Sequence, residues 1–509
     1  MPTIIAVLLS LPLVFVACGD DGGSPLADAA PVGPDGSAAD AGPVDAGYSG
    51  LDGCVPRSCS AVGARCGVID DGCGGTRTCG ECAAPNACGG GGVDNVCGCG
   101  SLERGQSLII DDAADLAALA GLGRIDGALV IRNVTSTDLQ ALTCMNTITG
   151  NLTIEDNPGL IDAGFLATIV VVGGNLAIRN NPSLTDLGLL PNLRAVGGTV
   201  LIDGNEALTS VDGLDLLASV GLDLRIENNP VLVDLGALAE VTRARNLRVV
   251  QNRDLSGLDG LSGLTELDGT LELQGNPALT GVAALAPGPG KAGLGRVGGD
   301  LLVVDNDALA DLAGLAAVTS VGGTVQISGN DTLSGIDGLA ALEAVGGDLD
   351  LTGNAGVTTL TGVAALTRVD GAVRVSATAL TGIDGLSGLA TIGGDLELSA
   401  NPSLTGAAGL SALTSVGGDV HIEDNDALVD VAGLALLSSV GADLFLFGNA
   451  ALADIAGLFG LSSLGGSMAV LVNPALPTCQ AEALRDQLVA GGYDGAVTIT
   501  GNDDAGQCP

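Results

Sequence analysis

The amino-acid sequence predicts a mainly β repeat solenoid, a parallel β-helix of about 15–17 coils with 24 residues each, closed by a short C-terminal helical cap. Three observations predict this fold. Asparagines recur every 24 residues over most of the chain, aromatic residues make up only 1% although 47% are hydrophobic, and 82 of the 509 residues are glycine. So few rings cannot fill a large globular core, whereas Leu, Val, Ile and Ala can fill the thin layers between stacked coils.

Residues 1–17 are predicted to be an export signal. The apolar run Ile4–Ala17 is too short to span a bilayer as a mature helix, and Cys18 follows it directly. Phe15-Val16-Ala17-Cys18 resembles a bacterial lipobox, in which the cysteine is diacylated, although Phe15 replaces the usual Leu and no Lys or Arg precedes the run. We expect an exported chain that is lipid-anchored at Cys18, on the outer membrane or cell surface of a bacterium. An ordinary cleaved signal is the alternative.

Two short regions separate this signal from the repeat. Residues 18–50 are almost entirely Asp, Ala, Gly, Pro and Ser, which cannot bury enough apolar surface to fold, so they predict a disordered tether. Residues 51–98 hold most of the 13 cysteines, and in an exported chain they predict a small disulfide module. Cys79-Gly80-Glu81-Cys82 has the spacing of zinc and redox sites but lacks the βαβ context that thioredoxin-like chemistry needs.

The number of cysteines bears on how they pair. With Cys18 set aside for a lipid, twelve cysteines are left, which is an even number. Cys479 and Cys508 are isolated near the C terminus, and we expect them to pair. Cys144 is also isolated, so it takes a partner from the cysteine-rich run Cys54–Cys99, most simply Cys99. Eight cysteines are then left for bridges inside the module.

Residues 99–478 contain the repeat. A typical coil begins with paired glycines, continues with the alternating residues Val420-His421-Ile422-Glu423 and reaches Asn425. The alternation is strand periodicity, and an inward asparagine can hydrogen-bond backbone groups that the following bend leaves unpaired. Apolar residues then recur at every third position, which suits short strands or 3₁₀ turns. The marker residues are Asn133, Asn157, Asn181, Asn205, Asn229, Asn252, Asn276, Asn306, Asn330, Asn354, Thr378, Asn401, Asn425, Asn449 and Asn473.

This pattern resembles the receptor L domain, the leucine-rich-repeat-like β-helix of growth-factor receptor ectodomains. The resemblance rests on Cys144 before Ile148-Thr149-Gly150-Asn151-Leu152-Thr153-Ile154 and on the recurring Gly-Asn-Leu-x-Ile and Asn-Pro-x-Leu. It implies a bridge from a cysteine at the domain start to the one before the first Gly-Asn-Leu, here Cys99 to Cys144. It also implies a partner-binding role. Kinase coupling is not implied, because the repeat is far longer than one L domain and no spanning helix follows it.

Residues 479–509 are predicted to cap the solenoid. Gln480–Leu488 is good helix-forming sequence, and Val497–Asn502 has the pattern of a last strand. A solenoid needs such a cap because its final apolar layer has a neighbour on one side only.

Composition excludes several kinds of function. The net charge of −41 and a single lysine, Lys291, argue against nucleic-acid binding, which needs clustered Lys and Arg. His421 is the only histidine, so neither a His-based metal site nor a hydrolase triad is expected. No cofactor is expected. The Asp residues that follow the paired glycines, such as Asp419, are assigned to turn chemistry, with Ca²⁺ binding as the alternative.

One sheet face is the predicted site of function, because solenoids meet their partners there. Phe445 and Phe447 occupy both outward positions of one strand, and Ala469 and Leu471 occupy those of the next, in columns that are otherwise mostly charged or small. Exposed apolar patches mark contact sites, so these four residues predict a binding site. The alternative is that the C-terminal helix, Gln480–Leu488, or the loop after it folds over the rings.

The sequence therefore predicts a non-enzymatic cell-surface lipoprotein, adhesin-like or receptor-like, whose partner is an unidentified protein or polysaccharide. A passive structural or spacer component of the cell envelope is the second interpretation. The third is a β-helix polysaccharide lyase or hydrolase, which needs clustered carboxylates and cations. Asp203, Arg225, Glu227 and Arg248 are the residues that adjacent coils could bring together for it.

Overall fold

A computed structural model describes residues 56–81, 87–88, 97–98, 102–112, 115, 119, 122–134, 142–161, 166–188 and 190–507. The chain divides into two units, Met1–Pro56 and Arg57–Pro509. Apart from Pro56, the first unit lies outside the described residues, and so do the predicted signal, Cys18 and the tether. These stay predictions.

The solenoid is mainly β, and one coil shows how its parts follow from the sequence. A two-residue strand, Ser415–Val416, leads through the paired glycines into the four-residue strand Val420–Glu423. Asp424 then bends the chain with a left-handed backbone (φ 53°), and the 3₁₀ turn Ala432–Leu434 returns it. Residues 420 and 422 are buried while 421 and 423 are partly exposed, as the predicted alternation requires. The coil of about 24 residues is confirmed.

The longer strands of successive coils stack in parallel into one sheet, here called the front sheet. Equivalent residues pair one coil apart, as His421 does with Phe445. Its strands are Leu108–Ile110, Leu129–Arg132, Leu152–Glu155, Leu176–Arg179, Val200–Asp203, Leu224–Glu227, Leu247–Val250, Leu271–Gln274, Leu301–Val304, Val325–Ser328, Leu349–Asp350, Val373–Ser376, Leu396–Ser399, Val420–Glu423, Leu444–Phe447, Met468–Leu471 and Val497–Thr500.

Shorter strands form two further parallel sheets along the side of the solenoid. The first contains Leu102–Arg104, Leu122–Ile125, Thr147–Ile148, Val171–Val172, Ala195–Val196 and Ser219–Val220. The second contains Arg243–Ala244, Glu266–Leu267, Arg296–Val297, Ser320–Val321, Ala344–Val345, Arg368–Val369, Thr391–Ile392, Ser415–Val416, Ser439–Val440 and Ser463–Leu464.

Each of the later coils contains a 3₁₀ turn, which lies in sequence between the front strand and the next two-residue strand. These turns are Gly236–Leu238, Asp259–Leu261, Ala283–Leu285, Ala313–Leu315, Asp337–Leu339, Thr361–Val363, Asp384–Leu386, Ala408–Leu410, Ala432–Leu434 and Ala456–Gly460. The apolar residues at every third position, such as Leu428, Val431 and Leu434, are fully buried. Each coil thus covers its apolar layer with its neighbours, which is how a repeat protein forms a core without aromatic residues.

Glycine is needed where the backbones of adjacent coils approach most closely. A Cβ at Gly197, in the paired glycines, would overlap the carbonyl oxygen of Gly173. The same holds for a second column of glycines inside the 3₁₀ turns, where a Cβ at Gly338 would overlap the carbonyl oxygen of Leu312. The paired glycines were identified in the sequence as the start of each coil, but the second column was not predicted, although the Ala-Gly-Leu and Asp-Gly-Leu repeats are visible there.

The predicted cap is present. The α-helix Thr478–Ala490 buries Ala481, Leu484 and Leu488 against the end of the core, and the strand Val497–Thr500 pairs with Met468–Leu471. No helix among the described residues is long and apolar enough to cross a membrane.

The described part of the cysteine-rich module contains two antiparallel strand pairs, and its Cys59, Cys66, Cys73 and Cys79 are disulfide-bonded. Val68–Asp70 pairs antiparallel with Thr76–Thr78 after the 3₁₀ turn Ser60–Val62, and Ala87–Cys88 pairs with Cys97–Gly98. Cys59 is bonded to Cys79, so Cys79 is occupied by a structural bridge rather than by a Cys79–Cys82 redox pair. Within the described ranges, no group of His, Cys, Asp and Glu is placed to hold a metal ion.

Candidate binding face

The asparagine ladder, formed by the marker residues from Asn157 onward, holds the front strands in register. Asn133 was predicted to belong to it, but this residue is exposed at the left-handed bend (φ 53°), and Val134 occupies the ladder position and donates its N–H to Asn157 Oδ1. Asn181 Nδ2 donates to the carbonyls of Ile154 in the preceding coil and of Arg179 in its own coil, at 3.0 Å each. Its Oδ1 accepts hydrogen bonds from both the backbone N–H and the side-chain amide of Asn157. Both asparagines are completely buried. As the sequence predicts, these amides satisfy the polar groups that the bend exposes, and they hold the outward side chains in straight columns.

A second ladder runs along the start of the front strands. Asp395 Oδ1 accepts the Asp419 N–H at 2.9 Å, Asp419 Oδ1 accepts the Asp443 N–H at 2.7 Å, and Asp443 Oδ1 accepts the Ser467 N–H at 2.6 Å. Asp348 follows the same rule, and the Ala372 N–H and the Arg374 guanidinium together lower the pKa of its carboxyl. Hydrogen bonds to the next coil therefore account for the Asp column as turn chemistry, and in Asp348 the second oxygen is also engaged, by Arg374.

The charged residues in the N-terminal half of the front face form ion pairs across coils. Glu227 Oε1 lies 2.9 Å from Arg225 Nε and 3.2 Å from Arg248 Nε, and Arg248 Nε also lies 3.2 Å from Glu272 Oε2. Both carboxylates are about nine-tenths buried. The hydrogen bond to Glu227 raises the pKa of the Arg225 guanidinium. Opposite charges on neighbouring strands stabilise the sheet, and that role accounts for this cluster.

The cluster differs in one member from the four residues that the sequence suggested for a polysaccharide-cleaving enzyme. Asp203 accepts a hydrogen bond of 2.8 Å from Asn228 Nδ2, and Glu272, from the next coil, lies beside Arg248 instead. The sequence could place all of these residues on adjacent coils but could not show which way each side chain turns. The observed network therefore contains three of the four predicted residues, Arg225, Glu227 and Arg248. Its fourth member is Glu272 instead of Asp203.

At the C-terminal end of the front face the paired charges give way to apolar groups. His421, Phe445, Phe447, Ala469 and Leu471 lie side by side on three consecutive strands and are here called the aromatic patch. The rings of Phe445 and Phe447 stack with centroids 5.8 Å apart and planes 23° apart, and His421 lies 5.3 Å from Phe445. All five side chains are half-buried, so each keeps part of its surface exposed. The sequence predicted that these residues lie next to one another on adjacent strands. The structure adds that the two phenylalanine rings stack.

The cap helix makes its hydrogen bonds on another side of the last coils. Gln480 Nε2 donates to the Ala453 carbonyl and its Oε1 accepts the Ile455 N–H, both at 3.0 Å, next to the 3₁₀ turn. Gln487 Nε2 donates to the carbonyls of Phe459 and Leu461 in the same region. The helix therefore covers the end of the core. The sequence left open that the helix or the loop after it covers the two rings, and these contacts place the helix elsewhere.

Beside the aromatic patch lies a residue in an unusual backbone conformation. Val472, directly after Leu471, is 48% exposed and has a left-handed backbone with φ 57°. Other coils have Asn, Asp or Gly at most of the equivalent positions, which tolerate this conformation, whereas a β-branched residue does so only under strain. An exposed, strained valine thus extends the apolar surface at its strand end.

Two of the four cysteines predicted to close the ends of the repeat are among the described residues. Cys144 and Cys479 are both disulfide-bonded. Their predicted partners, Cys99 and Cys508, lie outside the described residues, so the pairings Cys99–Cys144 and Cys479–Cys508 stay predictions.

Comparison with known proteins agrees with the repeat pattern. Residues 143–260 match the family model of the receptor L domain. Among solved structures, an internalin from Listeria monocytogenes is 18% identical, with a TM-score of 0.33, over 69% of this chain and 88% of that one. No curated protein matches the chain. Over residues 143–260, the segment that begins beside Cys144, the solenoid is therefore similar to the receptor L domain, the family that the sequence motifs predicted.

Proposed function

We propose that this protein is a non-enzymatic cell-surface lipoprotein that presents the front sheet of its solenoid to a protein or polysaccharide partner. The observation that supports the proposal is the aromatic patch. Two stacked phenylalanine rings are held partly exposed on a sheet face, in a chain that contains only five phenylalanines. Aromatic side chains on a rigid surface offer a large contact area at a small entropic cost, and they dominate the energetics of interfaces.

The rest of the front face supports the same assignment by contrast. From Glu155 to Glu272 the outward glutamates form ion pairs with arginines and Asp203 accepts a hydrogen bond from Asn228, which leaves few groups that need a partner. One other strand has apolar residues at both outward positions, Leu302 and Val304, but it has no ring. The second candidate is a passive spacer of the cell envelope. The whole front face of a spacer would be as uniform as the charge-paired part from Glu155 to Glu272.

The test compares the full chain with a Phe445→Ala, Phe447→Ala double variant on a glycan array and on a panel of purified surface proteins. Since both rings lie outside the core, we expect the melting temperature to stay nearly unchanged. Binding of the true ligand should weaken at least about thirtyfold, which is the effect of losing a typical hot spot.

The matched control is Leu302→Ala, Val304→Ala, which removes apolar side chains from the same two columns six strands away, about 29 Å at the usual strand spacing. This control should bind like the unmodified chain. If every ligand is bound equally by both double variants, or if the unmodified chain binds nothing on either panel, the binding function is wrong and the spacer function is favoured.

A further inference from the structure

The aromatic patch lies in a part of the chain that has almost no positive charge. From Val375 to the C terminus there are fifteen Asp and Glu residues but only one arginine and one histidine. That arginine, Arg485, belongs to the cap helix and contacts Asp486 at 2.8 Å. By contrast, Glu155, Glu227 and Glu272 in the first half of the front face each contact an arginine. Negative charge is therefore unbalanced around the patch.

Acidic residues flank the two rings at both ends of their strand. At the strand end, Glu423 pairs across the sheet with Phe447, and the Asp424 N–H donates to the Phe447 carbonyl at 3.0 Å. At the strand start, Asp419 and Asp443 each use one oxygen for a backbone hydrogen bond. Among the described residues, Glu423 and Asp424 form no ion pair with Lys or Arg. The rings thus lie between two edges that favour cations.

We propose that the aromatic patch binds a cationic segment of a protein partner, whose Lys or Arg side chains lie along Phe445 and Phe447 and reach Glu423 and Asp424. The inference rests on the proposed function and names the class of partner. The aliphatic part of a Lys or Arg side chain covers apolar surface while its charge stays at the edge, and a cation is attracted to the face of an aromatic ring.

Charge favours this partner over a polysaccharide. A neutral polysaccharide would cover the rings but leave the surrounding carboxylates without a counter-charge. An anionic polysaccharide would be repelled, because like charges placed together across an interface oppose binding. A basic protein segment satisfies both the apolar and the acidic parts of the surface.

The probe is a short synthetic peptide of alternating Lys and Leu, and its dissociation constant for the full chain is measured by fluorescence anisotropy. Because both rings contact the peptide in this proposal, Phe445→Ala with Phe447→Ala should raise that constant at least about tenfold. The Leu302→Ala, Val304→Ala control should change it less than about twofold, since it lies far from the site. A peptide with Glu in place of Lys should not bind.

A charge variant tests whether the peptide is attracted by the carboxylates beside the rings or by the net charge of the whole protein. Glu423→Gln with Asp424→Asn should raise the dissociation constant about fivefold at low ionic strength, and the difference should shrink as salt screens the charges. Asn tolerates the left-handed backbone of Asp424, so the fold should be kept. The matched control, Asp305→Asn with Asp307→Asn, removes the same charge from a distant coil and should have little effect.

Equal weakening by both charge variants, or unchanged binding after loss of the two rings, would overturn the cationic partner. Binding of a neutral polysaccharide that depends on Phe445 and Phe447, without such binding of the Lys-Leu peptide, would also overturn it but would leave the proposed function standing. If neither the peptide nor any member of the glycan and protein panels binds in a way that depends on these rings, the proposed function fails as well.

Discussion

Thr378 Oγ1 donates a hydrogen bond of 2.7 Å to Asn401 Oδ1, so the asparagine ladder continues from this coil to the next without an amide at position 378. It does not continue in the other direction. An asparagine at position 378 would donate to the Leu351 carbonyl of the preceding coil. Because Thr378 cannot, Asn354 Nδ2 donates to that carbonyl instead, at 3.0 Å. The front strand there is shortened to Leu349–Asp350. The shortened strand thus lies next to the one coil between Asn157 and Asn502 whose ladder residue is not an asparagine.

The first prediction concerns this gap. Thr378→Asn should supply the missing amide, lengthen the strand at Leu349 and stabilise the solenoid by about 1 kcal/mol, the usual net contribution of a hydrogen bond. Hydrogen exchange of the amides from 349 to 354 should slow. Ser376→Asn, which adds an asparagine to the outer face of the same coil, is the control and should leave exchange unchanged. Faster exchange in Thr378→Asn would show that the position has a different requirement.

The second prediction concerns the left-handed backbone of Val472. Val472→Gly should stabilise the protein by about 1 kcal/mol, because relief of the strain outweighs the extra freedom of glycine in the unfolded chain. Val429 is the matched control, since it is also 48% exposed but has an ordinary backbone conformation. Val429→Gly should destabilise by about 0.5–1 kcal/mol. Chemical denaturation measures both, and shifts of the same sign would contradict the strain.

The third prediction concerns the glycines inside the 3₁₀ turns. Gly338→Ala should destabilise by about 2–4 kcal/mol, because its Cβ would overlap the Leu312 carbonyl and force two coils apart. In Gly335→Ala, three residues earlier, the new Cβ would lie 3.8 Å from Thr359 Oγ1, an ordinary contact, and stability should hardly change. Thermal unfolding of the two variants compares them directly. Equal melting temperatures of the two variants would mean that the coils can move apart at Gly338 without loss of stability.

Local periodicity explains how much of this fold the sequence could predict. The alternation around Val420, the inward Asn425 and the apolar residue at every third position each depend on a few neighbouring residues, so they are visible in one coil. The glycine of the 3₁₀ turn depends instead on the distance between coils, which no single coil contains. The sequence likewise could not show that Glu272 lies beside Arg248, or that the cap helix leaves Phe445 partly exposed, because both depend on side-chain direction and packing.

The fourth prediction concerns the ends of the repeat. Peptide mapping under non-reducing conditions should find Cys99 linked to Cys144 and Cys479 linked to Cys508. Each bridge would fasten a coil that has a neighbour on one side only, where fraying is easiest. Reduction should therefore speed hydrogen exchange in the first and last coils and leave the middle coils unchanged. A linkage of Cys144 to any other cysteine would contradict the first pairing without affecting the second.

The last prediction concerns attachment to a membrane. If Cys18 is diacylated, the protein made in a bacterium should fractionate with membranes and be released only by detergent, because two acyl chains anchor a protein stably whereas one binds reversibly. Cys18→Ser removes the acceptor thiol and should give either a soluble exported protein or an unprocessed precursor of lower gel mobility. Ser10→Ala, inside the same apolar run, is the control and should keep the membrane fraction. A Cys18→Ser protein that stays in the membrane fraction with unchanged mobility would show that the chain is held there by something other than a lipid on this cysteine.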